Sequence, residues 1–132
     1  MIIGIGTDLC HIGRIEQSIE KYDERFLGRI FTEHEREYCD SKSGKESYYA
    51  KRFAAKEAAA KALSRSDTGS LSWLDVEVRN DPSGRPTLKF LRGARERLIE
   101  NLPKGYVANI HLSLTDDFPF AQAFVVIEAV KA

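Results

Sequence analysis

Hydrophobic and polar positions change period along the chain, and the changes divide it into strands and helices. Met1 to Asp8 reads as a short strand: Ile2, Ile3 and Ile5 are β-formers, and the glycines at 4 and 6 let another backbone or a ligand approach closely. From Ile12 the spacing becomes helical, with Ile12, Ile15 and Ile19 on one stripe and Arg14, Glu16 and Glu20 turned toward water. A second helical piece covers Phe26 to Ile30. Thr32 with Glu35 three residues later has the form of a capping box, opening another short helix toward Cys39. Ser41 to Ser47 is a polar loop. From about Glu46 to Leu63 the chain is rich in Ala, Lys and Glu without Gly or Pro, which predicts a long helix that Ser66 to Ser72 breaks.

In the second half, Leu74, Val76 and Val78 alternate with Asp75, Glu77 and Arg79, the period of a strand with one buried face. Asn80 to Pro86 carries the turn chemistry to reverse it, and Thr87 to Phe90 is the return strand. Leu91, Ala94, Leu98 and Leu102 follow helical spacing until Pro103 and Gly105 stop it. Ile110, Leu112 and Leu114 then alternate with His111, Ser113 and Thr115, so the three polar side chains share a face. After a turn at Asp116 to Pro119, Phe120 to Glu128 completes a hairpin. No repeat, low-complexity tract or linker interrupts the pattern. It predicts an α+β fold, an antiparallel sheet with packed helices, as one domain over residues 1–132.

Charge and composition narrow the partners. Twenty basic residues balance twenty acidic ones, so the overall charge points to neither nucleic acid nor an anionic membrane, and recognition must be local. The longest apolar runs, such as Phe124 to Ile127, are far too short to span a bilayer, and the N-terminus lacks the form of a signal peptide; the expectation is a cytoplasmic protein. Cys10 and Cys39 have no partner at metal-ligand spacing and read as free, partly buried thiols.

Phe53, Glu57 and Lys61 are spaced four apart along one stripe of the long helix, with Lys56 a step around the cylinder. Alanines at 54, 55, 58, 59, 60 and 62 fill most of the remainder. Such a small-sided helix packs closely against its neighbours and leaves Glu57 and Lys61 either pointing into a groove or forming an exposed ion pair. Asp8 is either a turn former or helix N-cap near His11, or a site carboxylate. Gly4 and Gly6 do not make a dinucleotide fingerprint, because Leu9 stands where the third glycine belongs. Ser83-Gly84-Arg85-Pro86 is a tight turn of a kind that also receives phosphate oxygens. No serine lies in a nucleophile elbow, neither cysteine has an evident base, and His11, His34 and His111 show no zinc spacing.

Gly4-Ile5-Gly6-Thr7-Asp8-Leu9, Lys51-Arg52-Phe53-Ala54-Ala55-Lys56-Glu57-Ala58 with Lys61-Ala62, Gly84-Arg85-Pro86 and Asn109-Ile110-His111-Leu112-Ser113 together resemble the holo-acyl-carrier-protein synthases, the short 4′-phosphopantetheinyl transferases. The resemblance runs from residue 2 to about 128 and implies transfer of phosphopantetheine from coenzyme A to a carrier-protein serine. It implies Mg²⁺ held by Asp8 and Glu57, a set suited to an ion that keeps water and phosphate oxygens in its shell. It implies Lys61 and His111 at the reacting centre, so that the catalytic group is Asp8, Glu57, Lys61 and His111. Arg52, Lys56, Lys61, His111 and the Gly84-Arg85-Pro86 turn would hold the coenzyme. The nucleophile then belongs to the partner, which accounts for the missing triad. The family further implies a homotrimer with active sites between subunits, and docking of acyl carrier protein on the first helical region through Arg14, Arg25 and Arg29, diluted by Glu16, Glu20, Asp23 and Glu24. Many relatives carry a histidine shortly after the serine of the last motif, where this chain has Asp116 and Asp117. The alternatives are a Mg²⁺-dependent phosphohydrolase using the same charged residues, and a non-catalytic oligomeric binding module.

Overall fold

A computed structural model describes residues 1–64 and 71–132. In chain order the elements are β1 (Ile2–His11), α1 (Ile12–Tyr22), α2 (Glu24–Ile30), α3 (Glu33–Asp40), α4 (Lys45–Leu63), a 3₁₀ turn (Trp73–Asp75), β2 (Val76–Asn80), β3 (Pro86–Phe90), α5 (Arg92–Asn101), β4 (Tyr106–Asp117) and β5 (Phe120–Lys131). The strands form two antiparallel sheets, a three-stranded one of order β1-β5-β4 and the separate β2-β3 hairpin. The α+β character expected from the sequence holds. The single sheet does not: β2 has β3 on one edge and, on the other, the side chain of Glu35, whose carboxylate accepts from the Val78 amide at 2.8 Å. Most of the predicted break at Ser66 to Ser72 lies outside the described residues.

The long helix α4 is the centre of the fold. Tyr49, Ala50, Ala54, Ala55, Ala58 and Ala59 are fully buried, and the helix lies across β1 and β5. Its alanines allow this, and so do the glycines of β1. A Cβ at Gly6 would stand 1.8 Å from the Ala58 carbonyl oxygen, and one at Gly4 2.1 Å from that of Ala62. The close approach read from the two glycines is therefore that of the α4 backbone.

β1 and β2 each depart from the sequence reading. β1 continues to His11, because Asp8, Leu9, Cys10 and His11 stay paired with Ala123, Gln122, Ala121 and Phe120 of β5. Asp8 is thus a mid-strand residue and caps nothing; His11 caps α1, its Nδ1 accepting from the Gly13 amide at 3.1 Å. The alternation in β2 also fails at Glu77. It is buried beside Val76 and Val78, and its carboxylate accepts from Arg79 Nε at 2.6 Å.

Cross-strand neighbours point to the same face of a sheet. Gly6, Asp8 and Cys10 of β1, with Ala121, Ala123 and Val125 of β5 and Leu112 of β4, face α4. Ile5, Thr7 and Leu9, with Phe120, Phe124, His111 and Ser113, face the other way and are exposed. No helix among the described residues is long and apolar enough to cross a membrane.

Candidate active site

Asp8, Glu57 and Lys61 meet where β1 crosses α4. Gly4 and Gly6 seat the strand directly on the helix, and the next inward position on β1 is Asp8. Lys61 donates from Nζ to Asp8 Oδ1 at 3.2 Å and to the Thr7 carbonyl at 2.9 Å. The Asp8 carboxylate is 18% exposed and the Lys61 side chain 56%, so the pair lies at a rim where the lysine can still reach a ligand. Glu57 completes the group from the same stripe of α4. Burial, then the negative charge of Asp8, hold its carboxyl above the ordinary value, and Lys61 offsets part of this.

Two cavities border Glu57, and a third adjoins them through Phe53 and Trp73. One of about 370 Å³ is lined by Asp8, Cys10, His11, Arg14, Phe53 and Glu57 among others. A second of about 300 Å³ lies on the other side of Glu57, against Lys56, Ala60, Leu71, Ser72, Trp73 and Val76. The third, about 630 Å³, extends from Phe53 and Trp73 over Phe26 to Tyr22, Arg25, Arg29 and Ile30. Phe53 and Trp73 stack between them, with ring centroids 5.0 Å apart and planes at 27°. The result is a groove with Glu57 and Asp8 at its centre and the α1-α2 surface along one bank.

The described residues contain no group of three or more His, Cys, Asp and Glu able to hold a metal ion. Asp8 and Glu57 form a two-carboxylate set beside open cavities. That suits a hard cation whose remaining ligands are water and phosphate oxygens. A bound cation would offset both the burial and the Asp8 charge that raise the Glu57 carboxyl. Cys10 lines the same cavity, but burial and the Asp8 charge push its thiol up to about 11, so it is no nucleophile at neutral pH.

Other candidate residues lie elsewhere. His111 projects from the opposite face of the sheet, where its Nε2 lies 3.2 Å from Glu128 Oε1; the sheet separates it from Asp8, Glu57 and Lys61 within one chain. Arg52 and Lys56 are each only 2% exposed. Arg52 donates to Asn80 Oδ1 at 2.9 Å and lies over the Tyr38 ring. Lys56 Nζ pairs with Glu35 at 2.8 Å and donates to the carbonyls of Trp73, at 3.0 Å, and Val76. Both cations are thus held inside the protein, Lys56 by a full set of partners and Arg52 with its buried Nε left without a hydrogen bond, because the face of α4 next to Glu57 is covered by α3 and β2.

The Gly84-Arg85-Pro86 turn is also self-contained. Gly84 adopts φ +90, and Asp81 Oδ1 accepts from the amides of Ser83 at 2.9 Å and Arg85 at 3.0 Å. A carboxylate occupies the place a phosphate would take, leaving the exposed Arg85 side chain for any ligand. Asp116 forms an ion pair with Lys51 of α4 at 3.0 Å. Trp73 was not singled out in the sequence. Its one signal there is that it is the sole tryptophan, set just before the alternating residues of β2.

A family model described as the 4′-phosphopantetheinyl transferase superfamily matches residues 4–122, and the chain belongs to that superfamily. Within it, the chain is 55% identical over 130 residues to the holo-[acyl-carrier-protein] synthase of Methylorubrum populi, covering 98% of this chain and 96% of that protein. The crystal structure of holo-[acyl-carrier-protein] synthase from Neisseria meningitidis matches with a TM-score of 0.80 at 36% identity, over 97% of this chain and 99% of that one. The synthase of Bacillus anthracis, solved in complex with CoA (3′,5′-ADP), matches with a TM-score of 0.75 at 36% identity, over 98% and 99% of the two chains.

Proposed function

We propose that this chain is a holo-[acyl-carrier-protein] synthase, which moves 4′-phosphopantetheine from coenzyme A to a serine of acyl carrier protein and releases adenosine 3′,5′-bisphosphate. The observation that carries the reading is the junction of Asp8, Glu57 and Lys61 beside a groove, in a chain related to such synthases over nearly its whole length. In the reaction the carrier serine oxygen bonds to the β-phosphorus of coenzyme A, the bond from that phosphorus to the bridging oxygen breaks, and the serine gives up its proton. Such a transfer asks the protein mainly for positioning and for charge opposite the phosphoryl oxygens.

Lys61 supplies that charge from α4, oriented by Asp8 and the Thr7 carbonyl. Asp8 and Glu57 are the residues that would hold Mg²⁺, and the bound ion would neutralise the diphosphate. Arg25 and Arg29 line the groove's outer end and Arg14 its inner end, which supports docking of an acidic carrier on α1 and α2.

His111 enters through oligomerisation. The sheet face it occupies carries exposed Ile5, Leu9, Phe120 and Phe124, and such an apolar surface suits contact with further copies of this chain. A homotrimer formed there would bring the His111 face of one subunit toward the groove of the next. Residues 1–132 would act as one domain, and the buried free thiols Cys10 and Cys39 fit the reducing cytoplasm.

The test is intact-mass spectrometry of an apo carrier protein incubated with the chain, coenzyme A and Mg²⁺, beside Glu57→Ala and chelator controls. A gain of one phosphopantetheine, lost in both controls, is expected. Coenzyme A consumed with no gain on any carrier would make the protein a phosphohydrolase, and no reaction at all would leave a binding module.

A further inference from the structure

Lys56 and Glu35 form an ion pair with side chains 1% and 0% exposed, the most deeply buried pair of charges among the described residues. Stability does not require it: two desolvated charges cost about as much as their attraction returns, and apolar residues of similar volume often serve as well. The pair does, however, tie together three segments that share no sheet. Glu35 accepts from the Thr32 amide at 2.8 Å at the start of α3 and from the Val78 amide at 2.8 Å in β2. Lys56, on α4, donates to the carbonyls of Trp73 and Val76 on either side of the 3₁₀ turn.

That turn carries the wall of the groove. Trp73 lines two of the three cavities and stacks on Phe53, and Lys56 directly precedes Glu57 in sequence. The Trp73 backbone is thus fixed by the residue adjoining the Glu57 carboxylate. The 300 Å³ cavity between Glu57 and Trp73, bordered by Leu71 and Val76, admits part of a small molecule but not a protein helix.

We propose that the buried Lys56–Glu35 pair is a positioning element for the transfer reaction: it sets Trp73 at a fixed distance from Glu57, and Trp73 bears on the coenzyme A substrate. The proposal rests on the functional reading above. Lys56 acts through Trp73, not on the coenzyme itself.

The experiment measures kcat and KM for coenzyme A in wild type, Lys56→Met, Trp73→Ala and the double variant, with tryptophan emission recorded alongside, since Trp73 is the only tryptophan. Trp73→Ala leaves the ion pair intact; it is expected to raise KM about tenfold with kcat within about threefold, the signature of lost ground-state binding. Lys56→Met is expected to raise KM similarly and to shift Trp73 emission to the red. The double variant should show no further rise, because both changes remove one wall. An unchanged KM in Trp73→Ala overturns the proposal even if Lys56→Met does not fold, and so does an additive double variant. A wild type that transfers nothing would instead overturn the functional reading.

Discussion

Replacing Gly6 by alanine tests whether the close seating of β1 on α4 is what assembles the site. The added Cβ would stand 1.8 Å from the Ala58 carbonyl oxygen, 2.8 Å from its carbon and 2.9 Å from the Ala62 amide nitrogen, all backbone atoms of α4. No side-chain rotation relieves that, so strand and helix must part by about 1.5 Å to restore ordinary contact. Overpacking of this kind costs about 2–3 kcal/mol, which lowers Tm by on the order of 10 °C for a chain of this length. The same shift acts on the site, because Asp8 is the next inward residue on β1 and its bond to Lys61 is already 3.2 Å long. A displacement near 1 Å at a reacting centre costs roughly 100-fold in rate. Thermal unfolding followed by circular dichroism, with carrier modification measured well below Tm, reads both effects. A Gly6→Ala protein that folds and retains wild-type kcat would refute the reasoning.

The raised Glu57 carboxyl predicts a pH dependence with two opposite signs. Protons compete with Mg²⁺ for Glu57, so metal affinity should fall on acidification at a pH above that of an ordinary glutamate, as metal titrations across pH will read. The metal-free protein does the reverse: the folded form binds this proton more tightly than the unfolded chain, so the contribution is present at low pH and lost as pH rises through the raised value. Glu57→Gln should therefore raise the metal-free Tm at neutral pH while abolishing stabilisation by Mg²⁺. Phe124→Asp, on the exposed sheet face, should yield a smaller particle by light scattering and lose activity while keeping its circular dichroism spectrum. Arg25→Glu with Arg29→Glu should raise KM for the carrier about tenfold or more and leave KM for coenzyme A unchanged, measured by varying each substrate in turn.

Periodicity and local chemistry located nearly every element of this fold. The isoleucine stripe of α1, the Thr32–Glu35 capping box and the alanine-rich α4 all depend on residues a few positions apart, whose interactions are settled within a turn or two of chain. The motifs around Asp8, Glu57 and Lys61 were legible for the same reason, and the glycines before Asp8 announced a close approach. What approached was not legible.

Long-range packing decided the rest. Strand pairing with β5 carried β1 on to His11 and made Asp8 a mid-strand residue. The register of β4 against β5 put His111 on the far side of the sheet from the carboxylates. Lys56, Glu57 and Lys61 look alike in sequence as charged residues of one helix. Only the placement of α3 and β2 over one face of α4 buries Lys56 against Glu35 while Glu57 and Lys61 stay at the groove. A helix repeats its side chains every 3.6 residues whatever surrounds it, but which of its faces is dry is set by elements far along the chain, and desolvation then decides which charges are fastened inside and which remain free to meet a substrate.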